Sequence, residues 1–206
     1  MSEFQNLRKN GLIAIVLKEE DELVNVALTH GNDEILMGTR EGMCIRFNEQ
    51  HIRTCGRVSM GVRAIRLDEG DYVIDMARIE EGAEVLVITA KGFGKRTSCD
   101  EYREQSRNGK GVRAMAVTDK TGPLAAQLLV HPDEDILVIT DDGTIIRARV
   151  ADIRLSGRNT QGVRIMRIAE GSEVVAVART EAEEEEEAEE AALDTTEEFV
   201  EEPTED

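Results

Sequence analysis

The sequence predicts an all-β protein of the propeller-like class, and two repeating landmarks carry that prediction. A Gly-Val-Arg motif recurs at spacings of 50 and 51 residues, in Gly61–Arg63, Gly111–Arg113 and Gly162–Arg164. A Thr-x-x-Gly landmark keeps the same spacing, beginning at Thr39, Thr89 and Thr140. A fixed period of this length is typical of repeat architectures, in which each unit buries its apolar face against its neighbours.

Each repeat carries four short strand signals, most clearly in its third copy. The apolar run Ile136–Ile139 and the run Thr144–Val150 flank Asp141-Asp142-Gly143, a pattern that predicts a β-hairpin. After a polar loop, two more strands are predicted at Val163–Ile168 and Val174–Val177. Four short strands per unit of about fifty residues, with no long helical periodicity, predict four-stranded propeller-like blades.

The register divides the chain into units. Residues 31–80, 81–131 and 132–180 are expected to be blades. Residues 1–30 are expected to be the second half of another, because Gly11-Leu12-Ile13 matches the segment that starts at Gly61. About three and a half blades do not close a ring of four to eight. We therefore expect a fragment of a longer protein, or a partner at the open edges.

The net charge of −18 is concentrated at the C-terminal end of the sequence. Residues 181–206 hold 15 acidic residues and no Lys or Arg, which predicts a disordered acidic tail with a solubilising or a regulatory role. The remaining 28 acidic and 25 basic residues nearly balance. No stretch of about 20 apolar residues predicts a membrane span. Three cysteines without CxxC spacing favour a reducing cytoplasm.

Basic residues recur in register and form four columns. The columns are Arg46, Arg96 and Arg147; Arg53, Arg103 and Arg154; Arg57, Arg107 and Arg158; and Arg63, Arg113 and Arg164. Equivalent positions of a propeller lie at equivalent radius, so a belt of guanidinium groups that binds the phosphates of double-stranded DNA is one interpretation. The alternative is that these arginines pair with acids, because an acidic column also recurs at Glu34, Glu84 and Asp135.

No catalytic residue, metal site or cofactor site is predicted for this chain. The three histidines are scattered without metal-ligand spacing, and no nucleophile–base arrangement stands out. Gly92-Phe93-Gly94 lacks the third glycine of a dinucleotide-binding loop and lies on a predicted hairpin.

Four motifs resemble the C-terminal domain of the bacterial DNA gyrase A subunit, over residues 4–180. They lie in Arg8–Ile15, Gly61–Leu67, Gly92–Thr97 and Gly157–Val163. The resemblance implies a β-pinwheel whose blades exchange strands and whose basic perimeter wraps double-stranded DNA. The implied partners are the rest of gyrase A and gyrase B, in the bacterial cytoplasm. ATP, Mg and the cleavage tyrosine would belong to the rest of that enzyme, which supercoils DNA, so the isolated chain is expected not to be an enzyme.

The family's box motif, Gln-Arg-Arg-Gly-Gly-Lys-Gly, is represented only by the degenerate copy Gln105–Gly111, which keeps five of the seven residues. Its Lys110, together with Lys95 of the Gly92–Thr97 motif, joins the arginine columns in the predicted DNA site. Two alternatives stay open. One is a topoisomerase IV-type domain that bends DNA, and the other is a propeller-like scaffold that binds proteins.

Overall fold

The computed structural model describes residues 9–182, and the predicted acidic tail lies outside them except for its first two residues. Eleven β-strands and three single-turn 3₁₀ helices make up the regular structure of this range. No helix within it is long and apolar enough to cross a membrane. The prediction of an all-β fold is confirmed.

The strands form three antiparallel sheets. The first, in the order β3-β1-β2-β6, contains β1 (Glu34–Thr39), β2 (Met43–Asn48), β3 (Val73–Arg78) and β6 (Val112–Arg113). The second, in the order β10-β5-β4-β7, contains β4 (Glu84–Thr89), β5 (Phe93–Ser98), β7 (Leu124–Val130) and β10 (Val163–Arg164). The third, in the order β11-β8-β9, contains β8 (Glu134–Thr140), β9 (Ile145–Arg149) and β11 (Val174–Glu181). The 3₁₀ turns are Glu49–His51, Cys99–Glu101 and Val150–Asp152.

The Thr-x-x-Gly landmark is the turn of the central hairpin of each sheet. In the first sheet the Gly42 amide donates to the Thr39 carbonyl at 3.0 Å, and the equivalent bond recurs in the other two sheets. The glycine adopts a left-handed backbone conformation each time, with φ of 81° at Gly42. Glycine is favoured there because it carries no Cβ to clash in that conformation. The predicted hairpins are confirmed.

The Gly-Val-Arg motif forms a strand that is exchanged between units. Val112 of β6 pairs with Cys44 in the sheet of the preceding unit, and Val163 of β10 pairs in the same way with Gly94. The prediction of a strand over Val163–Ile168 is correct only for its first two residues. The exchanged strand is short because it pairs along only two residues of its acceptor before the chain leaves the edge.

The exchanged strands lie at the outer ends of their sheets. At the opposite ends, the inner strands β3, β7 and β11 are neighbours, with β7 contacting both of the others. Four strands spaced about 4.8 Å apart place β6 and β10 roughly 14 Å from the inner strands of their sheets. The third sheet has no fourth strand within the described residues.

The apolar cores lie between neighbouring sheets. Strand β4 shows why, because its apolar run is buried on both faces. Val85 and Val87 pack into one cluster, shared with the first sheet, and Leu86 and Ile88 pack into another, shared with the third. Successive residues of a strand point to opposite faces, so an uninterrupted apolar run fits a central sheet packed on both sides.

Residues 9–30 form no strand, although the sequence predicts the second half of a blade there. Several of their apolar side chains are exposed, with Ile13 at 69% and Val26 at 73%. The equivalent segments of the later units contain inner strands that pair with the central hairpin of their own sheet. The described residues contain no such hairpin for 9–30, which accounts for the difference.

Candidate nucleic-acid interface

The first arginine column lies inside the structure and forms ion pairs across each central hairpin. Each arginine contacts the acidic residue twelve positions earlier in the chain, as a diagonal neighbour on the paired strand. The pairs are Arg46–Glu34, Arg96–Glu84 and Arg147–Asp135. Arg96 is only 8% exposed. Hydrogen bonding to Glu34 raises the pKa of Arg46, so the ion pair favours the charged guanidinium.

The same guanidinium groups reach the next unit. Arg46 Nη1 donates to the Cys99 carbonyl at 2.8 Å, and Arg96 Nε donates to the Ile153 carbonyl at 2.8 Å. Both carbonyls lie in or directly after the 3₁₀ turn of the following unit. Arg147 donates instead to the Glu181 carbonyl at 2.7 Å. These contacts give the first column a structural role in joining hairpins to neighbouring segments, as the acid-pairing alternative predicts.

Lys95 is fully buried, although the sequence places it among the DNA-binding residues. Its ammonium group donates to the carbonyls of Gly157 and Arg158, at 2.6 Å and 2.5 Å. Burial lowers the pKa of Lys95 to about 8, while the charge of Glu101 acts in the opposite direction. Lys95 therefore holds the loop of the next unit from below, and its ammonium is not part of the outer surface.

The third column ties each box-equivalent loop to the unit before it. Arg107 donates from Nη1 to the Arg63 carbonyl at 2.8 Å and from Nε to the His51 carbonyl at 2.7 Å. Arg158 repeats the contact with the Arg113 carbonyl at 3.0 Å. Arg57 makes the matching bond to the Ile13 carbonyl at 2.9 Å. These three half-buried arginines fix the path of their loops, and part of each side chain still reaches the surface.

The second and fourth columns are exposed. Their members are Arg53, Arg103 and Arg154, and Arg63, Arg113 and Arg164. Arg113 and Arg164 lie on the exchanged strands β6 and β10, at the outer ends of their sheets. Within residues 9–182, none of these six guanidinium groups forms an ion pair with a carboxylate. Lys110 is also exposed, and its ammonium contacts Asp68 at 2.7 Å. These side chains can offer charge to an anion while few existing interactions are broken.

A basic pocket next to β10 contains two residues that the sequence interpretation missed. Lys91, Lys120 and Arg164 surround Phe93 in a cavity of about 240 Å³. Lys120 and Arg164 lie 5.5 Å and 5.2 Å from the centre of the Phe93 ring, within cation–π range. Neither lysine recurs in the other units, so a search for repeated bases passes over them. Their signal is the departure from the repeat, since Gly70 and Gly171 stand where Lys120 does.

Tyr102 lies in the core, although the sequence suggested an arginine-rich loop. Its ring is fully buried, and Arg158 stacks 6.0 Å from the ring centre. Burial raises the pKa of its hydroxyl and, to about 11, that of the nearby Cys99 thiol. Among the described residues, no group of three or more histidine, cysteine or acidic side chains is arranged to hold a metal ion.

Comparisons with known proteins identify the family. The model of the DNA gyrase C-terminal domain, described as a beta-propeller, matches residues 1–30, 33–80, 83–125 and 134–181. The DNA gyrase A subunit of Halalkalibacterium halodurans is 58% identical over 194 residues, which cover 94% of this chain. The DNA gyrase A subunit of Streptococcus pyogenes serotype M3 is 59% identical over 184 residues, or 89% of the chain. The chain spans only 23% and 22% of the length of these two relatives.

Solved structures agree in fold. The C-terminal domain of DNA topoisomerase IV superposes with a TM-score of 0.82 at 27% identity, covering 93% of this chain and 60% of that one. A DNA gyrase A C-terminal domain gives a TM-score of 0.76 at 22% identity, covering 83% and 58% of the two chains. Both show the exchanged-strand β-pinwheel class. By sequence and by fold, the chain belongs to the DNA gyrase C-terminal domain family.

Proposed function

We propose that this chain is a DNA-binding and DNA-wrapping part of a gyrase A subunit, and that its exposed arginines contact the phosphate backbone. The observation that carries the proposal is the position of Arg113 and Arg164 on the outermost, exchanged strands of successive sheets. Guanidinium groups repeated at one level of successive units match a polyanion that passes from unit to unit. The second column and Lys110 extend this surface into the loops.

The other partners and activities follow from family membership. In a whole bacterial gyrase, the chain would act in the cytoplasm with the rest of gyrase A and with gyrase B, and it would support negative supercoiling. ATP, Mg and the cleavage chemistry would be supplied by those other parts. The described residues support this division of labour, because their recurring features are phosphate ligands and structural contacts. We propose no cofactor and no catalytic residue for this chain.

The test uses Arg103→Gln combined with Arg154→Gln, because both side chains are exposed and belong to one column. Binding to a duplex of about 40 base pairs is measured by fluorescence anisotropy over a range of salt concentrations. Each phosphate-binding cation that is removed should reduce the salt slope by about 0.9 and weaken binding to unrelated sequences by similar factors. Arg107 and Arg158 are less suitable, because their guanidinium groups also hold backbone carbonyls.

The matched control is Arg78→Gln, on the inner strand β3. It removes one positive charge from the opposite end of the sheet and should leave the salt slope unchanged. Wild-type affinity and slope in the Arg103/Arg154 double variant would contradict the proposal.

A topoisomerase IV-type function, in which DNA is bent and not wrapped, is a second candidate because of the high structural similarity to that domain. Ligation of a nicked plasmid in the presence of the chain separates the two. Wrapping with a defined hand shifts the linking number of the ligated product, whereas bending leaves it unchanged.

A further inference from the structure

One edge of the third sheet is built like a strand acceptor but holds no strand within the described residues. Strands β2 and β5 each pair with an exchanged strand, whereas β9 pairs only with β8. Ile145 occupies the acceptor position and is 60% exposed, while its equivalent Cys44 is completely buried. A Cβ added to the turn glycine Gly42 would meet the exchanged segment, but one added to Gly143 would meet nothing within 4 Å.

One copy of the donor motif is unpaired. Gly61 has φ of +76°, as does Gly111, yet a Cβ on Gly61 would meet nothing within 4 Å. At Gly111 the same Cβ would overlap the Cys44 carbonyl, and at Gly162 it would overlap the Gly94 carbonyl. Gly61 therefore keeps the backbone conformation of a docked donor without an acceptor next to it.

The unpaired donor segment is already ordered for docking. The Arg63 carbonyl accepts from Arg107 Nη1 at 2.8 Å, as the Arg113 carbonyl does from Arg158 at 3.0 Å while Arg113 lies in a paired strand. The Arg66 amide donates to the Gly109 carbonyl at 2.8 Å. A strand held in its bound conformation loses less conformational entropy on pairing than a free peptide does.

We propose that the open edge of β9 accepts the segment Gly61–Ile65 of a second copy of this chain. Following the exchanged strands, Val62 would lie opposite Ile145, and the Ala64 amide would donate to the Gly143 carbonyl. The matching bonds within the chain, from Ala114 to Gly42 and from Ile165 to Gly92, are both 2.8 Å long. Main-chain pairing along an exposed edge is an established way for two chains to associate.

A second copy is the occupant that the sequence supports. A donor needs glycine in the left-handed conformation, and residues 183–206 contain no glycine. The contact joins different surfaces on the two copies, so it is heterologous and can continue into rings or short filaments. This inference concerns self-association and does not depend on the proposed DNA binding.

The test measures the mass of the whole chain in solution without DNA, by light scattering or sedimentation, from about 10 µM to about 1 mM. Salt of about 0.3 M screens the repulsion expected from the net charge of −18. The average mass should rise above the monomer value of 22.8 kDa as the concentration increases. A synthetic peptide with the sequence of residues 61–67 should bind and reverse that rise.

Two variants locate the contact. Gly61→Ala should keep the chain monomeric, because its Cβ would overlap the Ile145 carbonyl of the other copy. Gly11→Ala is the matched control: Gly11 has φ of +74°, nothing lies within 4 Å of its added Cβ, and it is outside the proposed contact. Gly11→Ala should associate as the wild type does.

Ile145→Pro probes the acceptor side. The Thr140 amide donates to the Thr144 carbonyl at 3.0 Å, so by alternation the Ile145 amide faces the open edge. Proline should block association with no loss of a β8–β9 bond. A wild-type chain that stays monomeric at 1 mM, a peptide that binds without self-association of the chain, or a Gly61→Ala variant that associates normally would each overturn the proposal.

Discussion

Replacing Lys95 with methionine should change how the stability of the protein depends on pH. The Lys95 ammonium is fully buried and donates to the carbonyls of Gly157 and Arg158. Methionine fills a similar volume but carries no charge and no donor. The substitution removes two hydrogen bonds between units, and it also removes the cost of burying a positive charge.

The sign of the effect follows from proton binding. Burial lowers the pKa of Lys95 from its ordinary value of 10.5 to about 8. Between those pH values the unfolded chain binds more protons than the native protein, so Lys95 makes the native state more stable as the pH rises. From about pH 7.5 to about pH 10, this linkage adds about 2 kcal/mol to the free energy of unfolding. Lys95→Met cannot show that gain.

Urea denaturation followed by circular dichroism measures the free energy of unfolding of both proteins at several pH values. Other titrating groups are common to both, so they cancel in the difference between wild type and variant. That difference should grow in favour of the wild type as the pH rises. Lys110→Met is the matched control, because it removes a lysine whose side chain is 60% exposed. If the wild type and Lys95→Met respond to pH in parallel, Lys95 is not a buried charge.

Three further results are expected. Gly111→Ala should cost more unfolding free energy than Gly11→Ala, by about 2 kcal/mol or more, because both have positive φ but only Gly111 packs on a backbone carbonyl; urea denaturation compares them. Arg96→Leu should destabilise the protein by about 3 kcal/mol or more, since it leaves the Glu84 carboxylate without its ion-pair partner in a largely buried site; the double variant Arg96→Leu with Glu84→Leu should recover part of that loss. Removing residues 183–206 should tighten DNA binding at low salt, because the tail's negative charge competes with DNA; equal affinity in anisotropy titrations would rule out that competition.

The hairpins could be predicted from the sequence because their information is local. A turn needs glycine at one position, and the flanking apolar runs lie within a few residues of it. The exchange of strands is not local. A period of fifty residues is the same whether the Gly-Val-Arg segment pairs within its own unit or with the preceding one. Only the resemblance to a family implied the exchange, and the pairing of Val112 with Cys44 shows it.

The site could be predicted in part, because recurrence marks a position without giving its environment. Arg46 and Arg113 recur equally well, yet one forms an ion pair inside the structure and the other is exposed. For Lys95 the register did contain a signal. Its equivalents are Ile45 and Ile146, so a lysine at that position enters a site that the other units fill with an apolar side chain.

The two groups of arginines depend on one another. Arg107 and Arg158 hold the carbonyls of Arg63 and Arg113, residues whose own side chains are exposed. A contact that fixes one unit against the next therefore also fixes where the next phosphate ligand lies. DNA that passes along these units would follow a path set by hydrogen bonds it never touches. Weakening such a contact should alter the geometry of the bound DNA more than the number of phosphates neutralised, and only a wrapping assay would detect that difference.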